Sequence, residues 1–87
     1  MADTLPTSTM LILSTAHISE ATAGYLQHMR PHCYNKGDVG FFLMTDAQDD
    51  DPADLAELLR LARFAGFEWI MLDRDALELA SLPTFEW

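Results

Sequence analysis

The chain has 87 residues, of which 14 are acidic, 5 are basic and 49% are hydrophobic. That length fits one domain, and a domain this small buries only about 60% of the surface that its unfolded chain exposes. The formal net charge of −9 excludes direct binding to the phosphate backbone of nucleic acids, because such binding requires clustered Lys and Arg side chains. We therefore expect a single domain whose partners are not nucleic acids.

The cellular location is predicted from the cysteine content and the N-terminus. Cys33 is the only cysteine, so no internal disulfide can form, which is typical of a reducing compartment. No Lys or Arg precedes the apolar run at residues 10–13, and that run is too short for a secretion signal or a membrane span. The sequence predicts a cytoplasmic protein without membrane contact.

Three short apolar runs, each about as long as a strand, predict a sheet. They begin near Gly, Thr or a charged residue and end at a polar one, which is the pattern of strands buried on both faces. The runs are residues 10–13, 41–44 and 69–72.

Two helices are predicted between these runs. Ser19 is a good N-cap for the first helix, which spans roughly residues 20–29 because Pro31 prevents its continuation. The second helix has Asp51 as its N-cap, Pro52 at its first position and Gly66 at its C-terminal end. The apolar face of the second helix consists of Leu55, Leu58, Leu59, Ala62 and Ala65.

The element order predicts a small α/β domain over residues 1–87, with a three-stranded, mainly parallel sheet and two helices. Because the strands are apolar throughout, both faces of the sheet need cover. This favours a sheet with the first run between the second and the third, and with one helix on each face. The alternative order, first–second–third, places both helices on one face, and the tail or a second subunit then closes the other. We expect residues 1–8 to be flexible, residues 31–38 to form a loop and residues 81–87 to form a C-terminal tail.

One edge of this sheet is a candidate ligand site, because ligands of open α/β sheets bind at the carboxyl ends of the strands. A His close to two carboxylates suits a general base or a metal ligand. The simpler interpretation, which we favour, is that the polar side chains at this edge cap helices, satisfy loop amides and form a local ion pair. The edge is predicted to present His17, Asp73, Arg74 and Asp75, together with Ser14, Thr15, Thr45 and Asp46.

The densest acidic stretch is a second candidate site. It resembles a calcium loop only superficially, because Asp51 stands where the sharp turn requires Gly. The ordinary role of such a stretch is a solvated loop that stabilises the N-terminus of the following helix. A second interpretation is that the acids imitate the phosphates of DNA and bind a basic groove of a partner protein. The stretch consists of Asp46, Asp49, Asp50, Asp51, Asp54 and Glu57.

His28, His32 and Cys33 are metal-ligand types at close spacing, as a zinc site would require. They lack an obvious fourth ligand, and Pro31 breaks the helix between the two histidines. We therefore expect no metal and no cofactor.

The aromatic side chains fall into two groups. Those within the predicted elements are expected in the core: Phe41, Phe42, Phe64, Phe67 and Trp69. Phe85 and Trp87 follow a proline at the chain end, where they either fold back onto the sheet or stay exposed for a partner.

Three segments resemble a known family: residues 13–18 (Leu-Ser-Thr-Ala-His-Ile), 67–76 (Phe-Glu-Trp-Ile-Met-Leu-Asp-Arg-Asp-Ala) and 82–87 (Leu-Pro-Thr-Phe-Glu-Trp). They resemble short, uncharacterised bacterial proteins with a domain of unknown function, found on plasmids and integrative elements. The resemblance implies a mobile-element setting and assigns no catalytic residue. By analogy with other small acidic proteins of such elements, it suggests an inhibitor of host defence, of the anti-CRISPR or anti-restriction kind.

Three functional hypotheses follow. The first is a non-enzymatic interaction protein that presents its acidic stretch to a basic, nucleic-acid-binding protein surface. It predicts that partner binding is sensitive to salt and becomes weaker when Asp49, Asp50 and Asp51 are changed together to Asn or Ser. The second is a small enzyme or ligand-binding domain that uses His17 together with the carboxylates of Asp73 and Asp75. The third is a structural homodimer that buries an edge strand or the aromatic tail.

Overall fold

Two helices pack on a four-stranded sheet in the computed structural model, which describes residues 5–87. The elements are β1 (Met10–Ser14), a single 3₁₀ turn (Thr15–His17), α1 (Glu20–His28), β2 (Cys33–Lys36), β3 (Gly40–Met44), α2 (Ala53–Phe64) and β4 (Trp69–Asp73). The predicted α/β class, the two helices and the three apolar strands are confirmed. The strand β2 was not predicted.

The sheet is mixed, with the strand order β1-β4-β3-β2. β4 pairs in parallel with β1 and antiparallel with β3, and β3 pairs antiparallel with β2. The prediction of a three-stranded, mainly parallel sheet is therefore wrong, and so are both predicted orders, because the third apolar run lies between the other two. The cause is the hairpin of β2 and β3, which reverses the direction of the second apolar run.

The strand β2 lies in residues 31–38, which the sequence predicts as a loop. Its four residues are largely polar and half-exposed or exposed, so they give no apolar signal. The hairpin turn is nevertheless well defined. Gly37 has φ +52°, a left-handed conformation that favours glycine, and the Val39 N–H donates to the Lys36 carbonyl at 3.1 Å. The predicted loop at residues 31–38 therefore contains the strand β2 and the start of a hairpin turn.

The helix ends agree only in part with the prediction. Ser19 is the N-cap of α1, where its hydroxyl accepts from the Thr22 N–H at 3.2 Å. Gly66, with φ +88°, follows the C-terminal end of α2 as expected. The predicted N-cap of α2 is wrong: Pro52 occupies that position, and the Asp51 side chain points instead to Arg30.

Both helices pack against the same face of the sheet. A single buried cluster joins residues of both helices to residues of β1, β3 and β4, so the predicted arrangement with one helix on each face is wrong. The strands contribute Leu13, Leu43, Ile70 and Leu72 to this cluster, α1 contributes Ala23 and Leu26, and α2 contributes Leu55, Leu58, Leu59 and Ala62. The opposite face of the sheet has no helix over it within residues 5–87.

The C-terminal tail, residues 81–87, packs beside the 3₁₀ turn. The Phe85 N–H donates to the Ala16 carbonyl at 2.8 Å, and the Trp87 indole N–H donates to the Ile18 carbonyl at 2.9 Å. Leu82 packs against the core cluster. The alternative in which the tail closes the opposite sheet face is therefore wrong.

The N-terminal expectation concerns residues 1–8, of which residues 1–4 lie outside the described part of the chain. Residues 5–8 are exposed. Among the helices of residues 5–87, none is long and apolar enough to cross a membrane.

Gly40 and Gly24 provide a matched test of the sheet packing. A Cβ at Gly40 would overlap the backbone carbonyl of Leu72, whereas one at Gly24 in α1 would meet no atom within 4 Å. We expect Gly40→Ala to lower the free energy of unfolding by more than about 2 kcal/mol, because backbone must move. Gly24→Ala should raise it by up to about 1 kcal/mol, because alanine favours the helix. Urea unfolding followed by circular dichroism measures both, and equal stabilities of the two variants would contradict this packing.

Candidate functional site

His17, the candidate general base, is buried and holds the C-terminal tail. Its Nε2 accepts from the Leu79 N–H at 3.0 Å, which assigns the proton to Nδ1, and Nδ1 donates to the Pro83 carbonyl at 2.8 Å. Both ring nitrogens are therefore occupied by backbone groups. This arrangement fits the simpler interpretation of His17, a structural residue that ties the tail to the 3₁₀ turn.

Asp73 and Asp75, the two carboxylates of the enzyme hypothesis, make no hydrogen bond to His17 within the described chain. Asp73 forms an ion pair with Lys36 at 2.8 Å and accepts from the Asp75 N–H at 2.8 Å. The hydrogen bond and charge of Lys36, with the Asp75 N–H, hold the pKa of Asp73 below its ordinary value. The Asp75 side chain is exposed. Asp73 thus joins β4 to β2 across β3, as an ion pair at the end of the sheet.

A cleft of about 390 Å³ lies at this same edge, between the β2–β3 turn, α1 and the tail. Arg74 lines it, together with the polar side chains of Gln27 and Asn35 and the ring of Trp87. His17, Asp73 and Asp75 do not line it. The predicted edge therefore contains a cleft, but the three side chains of the enzyme hypothesis do not meet there.

Thr45 and Asp46 lie at the other end of the strands, because β3 runs antiparallel to β4. The Thr45 hydroxyl donates to the Phe67 carbonyl at 3.0 Å and is buried. The prediction that these two residues share an edge with the residues following β1 and β4 is wrong. Ser14 and Thr15 do lie at the predicted edge, where the Ser14 hydroxyl accepts from the Ala16 N–H at 3.0 Å.

The acidic stretch divides into carboxylates used within the fold and carboxylates left at the surface. Asp51 belongs to the first group. It pairs with the Arg30 guanidinium at 2.9 Å, and the two side chains are 4% and 0% exposed. Asp51 also accepts from the Tyr25 hydroxyl at 2.9 Å and from the Gln48 N–H at 2.9 Å. It is a buried structural charge.

The environment of Asp51 also acts on Tyr25. Burial, the hydrogen bond to Asp51 and the charge of Asp51 together raise the pKa of Tyr25 to about 12. The tyrosine therefore stays a neutral hydrogen-bond donor to Asp51 at physiological pH.

Asp54 belongs to the first group as well. Its carboxylate accepts from the Ser19 N–H at 2.8 Å and from the Thr22 hydroxyl at 2.7 Å. A side chain in the first turn of α2 thereby satisfies donors at the start of α1, and it fixes the two helices side by side.

Asp46, Asp49, Asp50 and Glu57 face the solvent to different degrees. Asp46 is half-buried, which by itself raises its pKa, but the His32 ring at 3.0 Å and nearby donors lower it below the ordinary value. Glu57 pairs with Arg60 at 2.6 Å on the surface of α2. Asp49 and Asp50 are exposed, and within residues 5–87 their carboxylates make no hydrogen bond or ion pair. They are the two fully available acids of the stretch.

His28, His32 and Cys33, the metal-ligand types that lie close together in the sequence, are not gathered into a metal-binding cluster within residues 5–87. Within the described part of the chain, no group of three or more His, Cys, Asp or Glu side chains is placed to hold an ion. The Cys33 thiol is half-buried, and this burial raises its pKa.

The sheet face opposite the helices is apolar. The register places two rows of side chains there, one of three residues across β1, β4 and β3, and one of four residues across all strands. We call these seven residues the open face: Met10, Trp69 and Met44 in the first row, and Ile12, Met71, Phe42 and Tyr34 in the second. Ile12 is 55% exposed and Tyr34 is 58% exposed.

The open face is shallow and carries no net charge. Four of its residues, Met10, Tyr34, Phe42 and Trp69, line a groove of about 320 Å³ with apolar atoms alone. The Tyr34 and Trp69 rings lie 6.4 Å apart at 41°. A third row on the same face contains Lys36 and Asp73, whose charges neutralise each other. On a chain of net charge −9, this is a neutral, apolar surface.

The sequence interpretation missed this surface by assigning the aromatic residues to the core. Phe41 and Phe67 do pack against the core, but Phe42 and Trp69 lie on the open face, and Phe64 is 91% exposed on α2. The signal was present in the strands: they are apolar on both faces, while the two helices are short. Two short helices on one face cannot cover the other.

Comparison with known proteins identifies a family without assigning an activity. Residues 10–87 match the C-terminal domain of DUF5983, a family of unknown function, and the chain belongs to this family. The resemblance to a domain of unknown function is thereby confirmed. No curated protein and no solved structure matches the chain.

Asp51 and Asp50 are neighbours whose substitution should have opposite outcomes. Asp51→Asn leaves the Arg30 charge buried without its partner, so we expect it to lower the free energy of unfolding by about 3–5 kcal/mol. Asp50→Asn removes an exposed charge and should change it by less than about 0.5 kcal/mol. Urea unfolding measures both. A marginal effect of Asp51→Asn would contradict a structural role for this ion pair. The same reasoning makes the triple change at Asp49, Asp50 and Asp51 uninformative about binding, because it also removes the buried pair.

Proposed function

We propose that this member of the DUF5983 C-terminal-domain family is a non-enzymatic interaction protein that docks on a partner through the open face of its sheet. The observation that carries the proposal is the set of seven apolar side chains with no described element over them. Contiguous apolar surface of this kind marks interaction sites in soluble proteins. Trp69 and Tyr34 are aromatic types that interfaces favour.

The charge around the open face indicates the chemistry of the partner. Asp46 and Glu68 lie at the end of the sheet where Met44 and Trp69 begin the first row. The rest of the surface is dominated by the acidic surplus, while the open face is neutral. The partner surface that fits these features is an apolar patch bordered by Lys and Arg side chains. This agrees with the sequence-based hypothesis of a partner that has a basic surface.

The side chains at the predicted ligand edge support an interaction protein over an enzyme. His17 uses both ring nitrogens on the tail, and Asp73 is paired with Lys36. An enzyme at this edge would need a general base with a nitrogen or carboxylate directed to substrate.

Photo-crosslinking tests the proposal. Benzoylphenylalanine in place of Phe42 puts the probe on the open face, and the same probe at Phe64, exposed on α2, is the matched control. In cells that naturally express the protein, we expect a discrete adduct with one protein from the Phe42 position and none from the Phe64 position. The captured protein, once purified, should bind Phe42→Lys at least about tenfold more weakly than the wild type and bind Phe64→Lys unchanged.

Two results would contradict this proposal. One is the same adducts from both positions, or equal binding of the two lysine variants. The other is an adduct consisting only of two copies of this chain, which would assign the open face to self-association.

A second candidate function is supported by Asp49 and Asp50, the two exposed acids of the acidic stretch whose carboxylates have no partner within residues 5–87. In the mobile-element setting that the resemblance implies, they would contact the basic DNA-binding surface of an anti-CRISPR or anti-restriction target. The proposal is narrower than the sequence suggested, because two of the six acids of the stretch, Asp51 and Asp54, bind within the fold.

DNA cleavage by a panel of restriction endonucleases and CRISPR effectors tests this candidate. We expect the domain to slow cleavage by at least one of them, and the Asp49→Asn/Asp50→Asn variant to lose the effect. The control is Asp38→Asn/Asp75→Asn, which removes the same charge from two exposed acids elsewhere. Inhibition of none of the enzymes, or equal inhibition by both variants, would contradict it.

A further inference from the structure

We propose that β1 is a self-association edge, where two copies of the chain pair their β1 strands antiparallel about Ile12. This goes beyond the proposed function, because it concerns the edge of the sheet rather than its open face, and its partner is a second copy. Four observations support it: unpaired backbone groups, an uncharged surrounding, a symmetric sequence and a contrast with the other edge.

The backbone of β1 has groups directed away from the sheet. The Thr9 carbonyl accepts from the N–H groups of Glu68 and Trp69, so the odd-numbered residues of this strand bond to β4. The N–H and carbonyl groups of Met10 and Ile12 therefore point to the open side. Ser14 has the same orientation but is only 3% exposed, so the accessible part of this edge lies before it. Within residues 5–87, no other strand pairs with that side. Unpaired edges of this kind bind further strands.

The chain around β1 carries no charge. From Thr4 to Ala16 the sequence contains no Asp, Glu, Lys or Arg, although the whole chain has a net charge of −9. Two copies repel each other over most of their surfaces. They can approach through β1 without bringing like charges together. The strand itself, Met10–Ser14, contains no Lys, no Pro and no charged residue of the kind that usually protects natural edge strands.

The central three residues of β1, Leu-Ile-Leu, are symmetric about Ile12, while Met10 and Ser14 at its ends differ. Leu11 and Leu13 flank it, so an antiparallel pair centred on Ile12 opposes Leu11 of one copy to Leu13 of the other on the core side. Ile12 opposes its own counterpart on the open-face side. Since the Ile12 N–H and carbonyl both point outward, the two isoleucines form a hydrogen-bonded pair on the two-fold axis. β-branched cross-strand pairs of this kind stabilise a sheet.

The opposite edge, β2, does not offer the same surface. It is four residues long and contains the polar Asn35 and the charged Lys36, which pairs with Asp73. Two β2 edges would oppose polar side chains and a lysine. The asymmetry between the two edges selects β1.

Charge substitution at Ile12 tests the register. Ile12 is 55% exposed, so a charged residue there does not enter the core. At micromolar concentration, sedimentation equilibrium should give the wild type a mass of twice 9.8 kDa. We expect Ile12→Lys and Ile12→Glu each to weaken self-association by at least about tenfold, because like charges oppose each other on the axis. An equimolar mixture of the two should form a heterodimer, because opposite charges then meet.

Tyr34→Lys, on the open-face side of β2, is the matched control and should keep the wild-type mass. Circular dichroism checks that each variant is folded. Formation of a heterodimer in the mixture is independent evidence that Ile12→Lys and Ile12→Glu are both folded. A monomeric wild type, an unchanged dimer in Ile12→Lys, or a mixture that stays monomeric would each overturn the proposal. Phe42→Lys separates it from the proposed function, because that change leaves the β1 edge intact and should leave the mass unchanged.

Discussion

The buried ion pair between Arg30 and Asp51 is the interaction on which the arrangement of this domain depends. The guanidinium has no exposed surface, and it donates also to the carbonyls of Pro31 and Asp46, which lie on either side of the hairpin. A buried charge is tolerated only when its partners are all in place, so this cluster admits one relative position of α1, the hairpin and the start of α2. Together with Asp54, it holds both helices on one side of the sheet.

The position of the helices explains why the domain has two different surfaces. The face that both helices cover forms the buried apolar core, and within residues 5–87 no helix covers the other, apolar face of the same strands. Charge is distributed in the opposite way. Arg30, Lys36 and Arg60 are paired with carboxylates, and Arg63 donates to a backbone carbonyl. Of the five basic residues only Arg74 has no such partner within residues 5–87, so the acidic surplus dominates the solvent-exposed surface. A neutral sheet face and acidic surroundings give a partner two separate features to recognise.

The sequence was sufficient for the local elements and insufficient for their arrangement. Apolar runs and Ser19 located three strands and the start of α1, because those signals depend on neighbouring residues. The order of strands depended on β2, whose four residues form no apolar run, although the hairpin that they begin reverses the direction of the next strand. Asp51 was expected to cap its own helix. It binds Arg30 instead, 21 positions away in the chain, and no local pattern distinguishes these two roles.

The two tryptophans lie on different surfaces, which gives the domain two intrinsic optical reporters. Trp69 is half-buried on the open face beside Tyr34, so its emission responds to whatever covers that face. Trp87 is held by a hydrogen bond to Ile18 at the end of the tail, and its emission responds to release of the tail. With only these two indoles in the chain, replacing either one leaves the other as a single fluorophore that distinguishes docking on the sheet from detachment of the C-terminus.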